Sequence, residues 1–346
     1  MHVATVKTAL EWNNRTVVPG DYYLEDHNSA ELLWASRCLG DVVISGCPSL
    51  RFDPVKIWRP GTRVLFVRVG GFGDLLWLAP IYQKMREAGV YVAHCCFERY
   101  APVLEGFVDE VVPYPLAFAD TTQFDQIVWL ENVIEGKACL GNEHPAGRLA
   151  KLLHAPEGLP RAGYIVTGQE IEWAADQWPR TDLKRICVQV GSSGSIKDYA
   201  RITELLAVIS LAGFELLLVG DPREAHEKVP PGVFDCTMRQ FTVRQSIAMA
   251  SWCDAIVAPD SMFVHVGAAL GIPTVGLYGP FAGSAYMDGF VGCAMQGRAK
   301  CSPCSWHPRG APFPPGGPCA SSGHCNALAN VPPEDILFML KRLLKK

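Results

Sequence analysis

Short apolar runs alternate with longer helical patterns from residue 63 to the end of the chain. In the first half, the pattern predicts strands over 64–69, 90–96, 108–112 and 126–130, and a helix over 74–88. In the second half, it predicts strands over 185–190, 215–219, 255–258 and 274–278, and helices over 199–212, 243–253 and 262–270. Residues 137–182 are predicted to be mostly helical, and a final amphipathic helix is predicted over 333–345. Such alternation is typical of parallel sheets with crossover helices.

Two repeats of this pattern predict an α/β protein with two Rossmann-like domains that bind ligands at the carboxyl ends of their strands. The predicted organisation has five parts: an extension or small module over 1–60, a Rossmann-like domain over 61–175, a second one over 176–286, a Cys/Gly/Pro-rich segment over 287–330 and a helix over 331–346. The first part, with short strands around Pro19-Gly20-Asp21 and a predicted helix over 29–35, faintly resembles small modules of bacteriophage proteins.

Composition narrows the class of protein. The 346 residues are 49% hydrophobic, which supports full cores. A net charge of −4 gives no electrostatic reason to expect nucleic acid or an acidic membrane surface as partner. No apolar run approaches the ~20 residues needed to cross a bilayer, and the N-terminus lacks the features of a signal peptide. We therefore expect a cytoplasmic protein whose 13 cysteines are mostly reduced thiols.

The most informative motif is a predicted strand–helix–strand segment over 255–280. Asp260 and Ser261 stand directly before its helix. The free N–H groups at a helix N-terminus can hold an anion at the carboxyl edge of a sheet. His265 is predicted one turn into this helix, either as a pocket residue or as a hydrogen-bonded, partly buried histidine.

A glycine-rich turn over 67–74 has the same strand-to-helix character in the first half. It lacks the third glycine of a dinucleotide fingerprint, because Leu76 stands there, and it lacks the Gly-Lys-Ser/Thr of a P-loop. Asp74 closes the turn. Its carboxylate is either a helix N-cap or a group that acts on a ligand at the mouth of the turn.

Two further loops follow predicted strands of the second half. The first contains Ser192, Ser193 and Lys197, whose hydroxyls and ammonium would suit a phosphate, although a flexible polar loop has a similar composition. The second contains Asp221, which either accepts hydrogen bonds from ribose hydroxyls or is a solvated turn residue.

The Cys/Gly/Pro-rich segment contains four cysteines with the spacing Cys301-x2-Cys304-x14-Cys319-x5-Cys325. Four thiolates can form a structural zinc site with no open coordination position. Free thiols, or a disulfide formed on oxidation, are the alternatives.

In their order along the chain, these motifs resemble those of glycosyltransferase family 9, the heptosyltransferase-like enzymes. Residues 63–80, RVLFVRVGGFGDLLWLAP, resemble the opening of the family, and 186–197, 215–221 and 260–280 resemble its second-domain motifs. The resemblance covers residues 62–345. It implies the GT-B fold, with two parallel-sheet domains facing a central cleft, and inverting transfer of a sugar from a nucleotide-diphosphate donor without a catalytic metal.

The resemblance also implies roles for individual residues. Asp74 would be the general base, and Ser192, Ser193 and Lys197 would hold the donor diphosphate. Gly73, Asp221, Asp260, Ser261 and His265 would complete the donor pocket. The acceptor would be a lipopolysaccharide-type or other glycan in a bacterial cell. If the phage-like N-terminus is meaningful, the acceptor would be a nucleobase or a protein in a phage-infected cell.

The sequence departs from the family at two points: Met262 replaces a usual glycine, and residues 194–199 carry fewer basic side chains than usual. Both leave open a non-catalytic nucleotide-sugar-binding or structural protein with the same fold. An NAD-dependent oxidoreductase is a third possibility, for which Glu98 stands near the required acidic position but the glycine fingerprint is incomplete.

Overall fold

The protein is described by a computed structural model. The structure describes residues 2–7, 9–12, 15–24, 42–46, 53–131, 133–134, 143–192, 194–221, 229–305 and 317–345. The chain divides into two compact units. The first comprises Met1–Gly71, Ile81–Ile134 and Ala150–Pro156, and the second comprises Phe72–Pro80, Glu135–Leu149 and Glu157–Lys346.

The first unit contains two four-stranded sheets and a hairpin. Its strands are β1 (His2–Val6), β2 (Leu10–Trp12), β3 (Arg15–Val17), β4 (Gly20–Leu24), β5 (Val42–Gly46), β6 (Arg63–Val67), β7 (Tyr91–Cys96), β8 (Glu110–Pro113), β9 (Leu116–Ala117) and β10 (Gln126–Trp129). The order β10-β6-β7-β8 is fully parallel, whereas β5-β1-β4-β9 is antiparallel, and β2 pairs with β3. Short 3₁₀ helices occupy Lys56–Trp58 and Glu98–Leu104.

The N-terminal residues belong to the core of the first unit. Val6, Val17 and Tyr22 are buried in one apolar cluster with residues of β6, β7 and β8. The antiparallel sheet also takes in β9, which lies far along the chain. This part of the sequence is therefore packed into the first unit, while the helix predicted over 29–35 lies outside the described residues.

The second unit contains a six-stranded parallel sheet. Its strands are β11 (Arg185–Gln189), β12 (Glu215–Val219), β13 (Phe234–Asp235), β14 (Ala255–Pro259), β15 (Thr274–Tyr278) and β16 (Gly292–Gln296), in the order β13-β12-β11-β14-β15-β16. All five pairings are parallel. The sequence pattern did not predict the edge strands β13 and β16.

Helices separate most of these strands. Along the chain they are α1 (Phe72–Glu87), α2 (Phe118–Thr121), α3 (Pro145–Leu152), α4 (Gly168–Gln177), α5 (Ile202–Leu211), α6 (Val243–Ser251), α7 (Met262–Leu270), α8 (Gly283–Tyr286), α9 (Pro318–Ser322), α10 (Asn326–Ala329) and α11 (Pro333–Leu343). None of the helices that the structure describes is long and apolar enough to span a membrane. The alternating α/β fold with parallel sheets is confirmed.

Helix α7 lies close against the sheet because of its small residues. A Cβ atom on Gly267 would collide with Oγ1 of Thr274 on β15. The helix ends at Gly271, whose φ of 66° is in the left-handed region that favours glycine. The N-terminus of α7, at Met262, follows closely on the end of β14, at Pro259.

Candidate active site

Three adjacent strands bring the predicted donor-binding residues to one edge of the second sheet. Strand β11 lies between β12 and β14, and all three are parallel. Ser192 follows β11, Asp221 follows β12 and Asp260 follows β14. Since the carboxyl ends of parallel strands lie at one edge, loops from distant parts of the sequence meet there, where ligands bind in open α/β sheets.

An ion pair lies at this edge. Nζ of Lys197, from the 3₁₀ turn Ser195–Lys197, is 3.0 Å from Oδ2 of Asp260. The ammonium also lies 5.1 Å from the ring centroid of Phe281. The two charged side chains are only 13% and 5% exposed. The predicted phosphate-binding lysine is therefore a nearly buried cation that is held in place by the predicted pocket aspartate.

The loop after β11 is internally hydrogen-bonded. The Ser192 hydroxyl lies 2.7 Å from Oδ1 of Asp198 and 2.8 Å from the carbonyl oxygen of Gly194, and it accepts from the Gly194 N–H. This arrangement differs from the flexible polar loop that its composition also suggested. Ser193 lies outside the described residues.

Gln189, at the end of β11, connects this loop to helix α7. Its Nε2 donates to Oγ of Ser261 and to the Gly191 carbonyl, both at 2.9 Å, and its Oε1 accepts from the Phe263 N–H at 3.1 Å. One N–H group of the helix N-terminus is thus already satisfied. Sequence reasoning missed this residue, although a glutamine directly after the apolar residues 186–188 was a usable signal.

His265 lies in the first half of α7 and is 3% exposed. Its Nδ1 accepts a hydrogen bond of 3.1 Å from the indole Nε1 of Trp77, a residue of α1. Burial, with a smaller contribution from the Lys197 charge, lowers the pKa of His265 to about 3. The imidazole is therefore neutral at physiological pH.

The glycine-rich turn meets this histidine. Helix α1 begins at Phe72 with Gly71 as its N-cap, so Asp74 is the third helical residue. The alternative in which Asp74 is the N-cap is wrong, because Gly71, with φ of 92°, takes that position. A Cβ atom on Gly73 would lie 2.6 Å from Cδ2 of His265. The segment that carries Asp74 therefore packs directly against the His265 ring.

Aromatic rings enclose the other side of Trp77. The His144 ring is 5.6 Å from the Trp77 ring and 5.5 Å from that of Phe290, and Tyr286 lies nearby. Nδ1 of His144 accepts from the Ala146 N–H at 3.0 Å. Burial lowers the pKa of His144 to about 3, to which the neighbouring His265 contributes. Sequence reasoning missed both residues: Trp77 lies within the motif over 63–80 but was given no role there, and His144 belongs to no recognisable motif.

In the first unit, a buried network holds the strand that leads into the glycine-rich turn. A carboxylate oxygen of Glu131 lies 3.3 Å from Nη1 of Arg68, and the other accepts from the Val69 N–H. His94 bonds to the Arg68 carbonyl at 3.0 Å and to the Tyr82 hydroxyl at 2.7 Å. Burial lowers the pKa of His94 to about 4.

The structure describes all four cysteines of the predicted metal site. Burial raises the pKa of the Cys325 thiol, and the thiols of Cys319 and Cys304 raise it further. Cys301 is exposed. Across the residues that the structure describes, however, no group of three or more His, Cys, Asp or Glu side chains is arranged to hold a metal ion.

Comparison with known proteins relates this site to a family. The family model for glycosyltransferase family 9 (heptosyltransferase) matches residues 148–284. No match is found among curated proteins.

Solved structures resemble a larger part of the chain. ADP-heptose lps heptosyltransferase II of E. coli superposes with a TM-score of 0.62 at 16% identity, covering 82% of this chain and 99% of the other. A family 9 glycosyltransferase of Veillonella parvula DSM 2008 gives 0.65 at 13% identity, covering 86% and 99%. The iron-containing dodecameric glycosyltransferase TibC of enterotoxigenic E. coli H10407 gives 0.58 at 12% identity, covering 99% and 91%.

At these identities the structural likeness establishes the fold, which is GT-B, and the family model relates residues 148–284 to the glycosyltransferases. The resemblance that the sequence motifs predicted is therefore confirmed over residues 148–284, which match the model of glycosyltransferase family 9, the heptosyltransferases.

Proposed function

We propose that this protein is an inverting, metal-independent glycosyltransferase that moves a sugar, with a heptose as the leading candidate, from a nucleotide-diphosphate donor to an acceptor hydroxyl. The observation that carries the proposal is the nearly buried Lys197–Asp260 pair at the carboxyl edge of the second sheet. A lysine kept out of water at such an edge is suited to an anionic ligand. The heptose is suggested by TibC, whose structure was solved in complex with ADP-D-beta-D-heptose.

In this mechanism the Asp74 carboxylate takes the proton of the acceptor hydroxyl. The oxygen then attacks the anomeric carbon from the face opposite the diphosphate. A new C–O bond forms as the bond between the anomeric carbon and the phosphate oxygen breaks, and the electron pair leaves with the nucleoside diphosphate. The attack requires a base on one face and stabilisation of negative charge on the other.

Lys197 and the N-terminus of α7 would stabilise the negative charge of the leaving nucleoside diphosphate. The lysine supplies a point charge, and the first-turn N–H groups not used by Gln189 supply oriented donors. Ser192 and Ser193 belong to the loop that would cover the diphosphate. Gly73, Asp221, Ser261 and His265 would line the remainder of the donor pocket. No step in this mechanism requires a metal ion.

One structural relative suggests the chemical class of the acceptor. This relative is named as an lps heptosyltransferase. We propose a glycan hydroxyl of the lipopolysaccharide type as acceptor, with a nucleobase or protein hydroxyl as the alternatives to be tested beside it.

The first experiment is a thermal-shift screen of the purified protein against ADP-, UDP-, GDP- and CMP-sugars. A ligand that binds the native state raises its stability. We expect one donor to give a shift that is retained in Asp74→Asn and lost in Lys197→Met. If no donor shifts the native protein, the donor assignment is wrong.

Turnover with that donor separates binding from chemistry. Release of nucleoside diphosphate in the presence of acceptor glycans should fall at least about 10²-fold in Asp74→Asn, and it should persist in EDTA. The anomeric configuration of the product, read by NMR, tests inversion. Donor binding with no transfer to any acceptor would instead favour a non-catalytic nucleotide-sugar-binding protein.

We also propose that Cys301, Cys304, Cys319 and Cys325 hold a structural metal, with zinc as the first candidate. Support comes from the spacing of these four cysteines in the sequence and from the iron-containing relative. Elemental analysis of the purified protein should find about one zinc or iron per chain. The metal should be lost in Cys304→Ser and kept in Cys293→Ser, a matched change outside the cluster. Metal-free wild-type protein would refute the site.

A further inference from the structure

The hydrogen bond between Trp77 and His265 decides where the proton of this imidazole lies. An indole N–H can only donate, so Nδ1 of His265 must accept and cannot carry a proton. The neutral imidazole has a single N–H. That N–H is therefore on Nε2, and Trp77 excludes both the other tautomer and the imidazolium.

The protonated edge of the ring faces the glycine-rich turn. A Cβ atom on Gly73 would lie 2.6 Å from Cδ2 and 3.1 Å from Nε2 of His265. Only a residue without a side chain permits this approach. The Nε2–H donor therefore lies at the turn that carries Asp74.

The surroundings of Nε2 define what it would bind. Lys197 is close enough for its charge to act on the His265 ring, and the same lysine pairs with Asp260. A fixed N–H donor beside an ammonium and a helix N-terminus matches a ligand whose atoms are all acceptors, such as a diphosphate.

We propose, resting on the proposed glycosyltransferase function, that Trp77 is a positioning residue: its indole N–H holds His265 as the neutral Nε2–H tautomer, which then donates to an oxygen of the donor diphosphate. His265 therefore contacts the ligand, whereas Trp77 acts through His265. The role of the histidine is that of a permanent hydrogen-bond donor, and proton transfer is left to Asp74.

A spectroscopic test needs no substrate. In protein labelled with ¹⁵N-histidine, the His265 signal, assigned by its loss in His265→Gln, should show a non-protonated Nδ1 and a protonated Nε2. Trp77→Phe keeps the aromatic packing but removes the donor, and it should convert this signal to a mixture of tautomers. A protonated Nδ1 in the wild type, or an unchanged signal in Trp77→Phe, would overturn the proposal.

A double-mutant cycle tests the consequence for the donor. Trp77→Phe should raise the KM for the donor about tenfold, the size expected for one misdirected hydrogen bond. A glutamine at position 265 presents an amide donor near the place of Nε2 and has no tautomers. In the His265→Gln background, Trp77→Phe should change the donor KM by less than about twofold, because the glutamine has no tautomers for Trp77 to select between.

Two results separate this proposal from simpler explanations. Trp252→Phe removes an indole hydrogen bond of the same length, 3.1 Å to the Trp178 carbonyl, and should leave the donor KM unchanged. Equal effects of Trp77→Phe in the wild-type and His265→Gln backgrounds would show a purely structural role and overturn the proposal. If no donor binds at all, the proposed function fails, while the ¹⁵N signal still reports the tautomer.

Discussion

Nζ of Lys197 lies 3.0 Å from Oδ2 of Asp260, and each charge compensates the other for its removal from water. Removing one partner of a buried pair leaves an uncompensated charge. We expect Asp260→Asn to lower the free energy of unfolding by about 3 kcal/mol, measured by urea denaturation. The control is Glu204→Gln, which breaks the exposed pair with Arg201 and should cost less than about 1 kcal/mol. Equal losses would show that the Lys197–Asp260 pair is effectively solvated.

A ligand should compensate for the lost carboxylate. In Asp260→Asn the Lys197 ammonium lacks its counter-charge, and a bound nucleoside diphosphate would supply one. The thermal shift caused by the diphosphate should therefore be larger in this variant than in the wild type. A smaller shift would mean that the Asp260 carboxylate itself makes a favourable contact with the ligand.

Gln189 joins the end of β11 to the start of α7. Gln189→Ala would leave the buried Phe263 N–H without its acceptor, at a cost of about 1–3 kcal/mol. Gln245 provides a matched control, because its Oε1 also accepts from a helix N-terminal N–H, that of Thr242, but at the surface. We expect Gln245→Ala to cost less, and similar losses in urea denaturation would contradict the structural role given to Gln189.

Gly73 should not tolerate a methyl group. The added Cβ of Gly73→Ala would lie 2.6 Å from the His265 ring, so the ring or the turn must move. A displacement of this kind can cost about 10²-fold in turnover. Gly168→Ala is the control, because nothing lies within 4 Å of the added Cβ at this other helical glycine. Normal turnover in Gly73→Ala would show that the position of the His265 ring is unimportant.

Acid should destabilise the native protein through its buried histidines. Burial lowers the pKa of His94 from its ordinary 6.5 to about 4. Below pH 6.5 the unfolded chain therefore takes up a proton that the native state refuses, and stability falls until the pH reaches about 4. One such group contributes a slope of about 1.4 kcal/mol per pH unit.

The variant His94→Gln isolates this contribution. Its free energy of unfolding, measured between pH 4.5 and 7, should fall with acid less steeply than that of the wild type, by up to about 1.4 kcal/mol per unit. His144 and His265, whose pKa values are also lowered by burial, retain their share of the slope in this variant. Parallel curves would mean that His94 is protonated in the native state.

Local pattern was enough to predict the parallel strands and the helices that separate them. Buried parallel strands appear as continuous apolar runs, and the helix over 262–270 is marked by Ser261 before it and Gly271 after it. The short edge strands β13 and β16 escaped prediction, since β13 has two residues and β16 has a mixed composition.

The candidate site was predicted only where a motif marks it. Lys197 and Asp260 each stand in a recognisable loop, although the ion pair between them is a product of strand order. The bond from Trp77 to His265 joins residues 188 positions apart. A tryptophan in an apolar helical stretch carries no local sign of a polar partner, so this contact required the structure.

The antiparallel sheet of the first unit has a consequence for synthesis on the ribosome. Strands β1 and β4 are made first, but β4 pairs with β9 only after Leu116 and Ala117 have been added. Val6 and Tyr22 likewise reach their core neighbours on β8 late. At about 5–20 residues per second this interval lasts roughly 5–20 s. During that time Val6 and Tyr22 lack these core neighbours, and we expect this part of the nascent chain to be accessible to a chaperone.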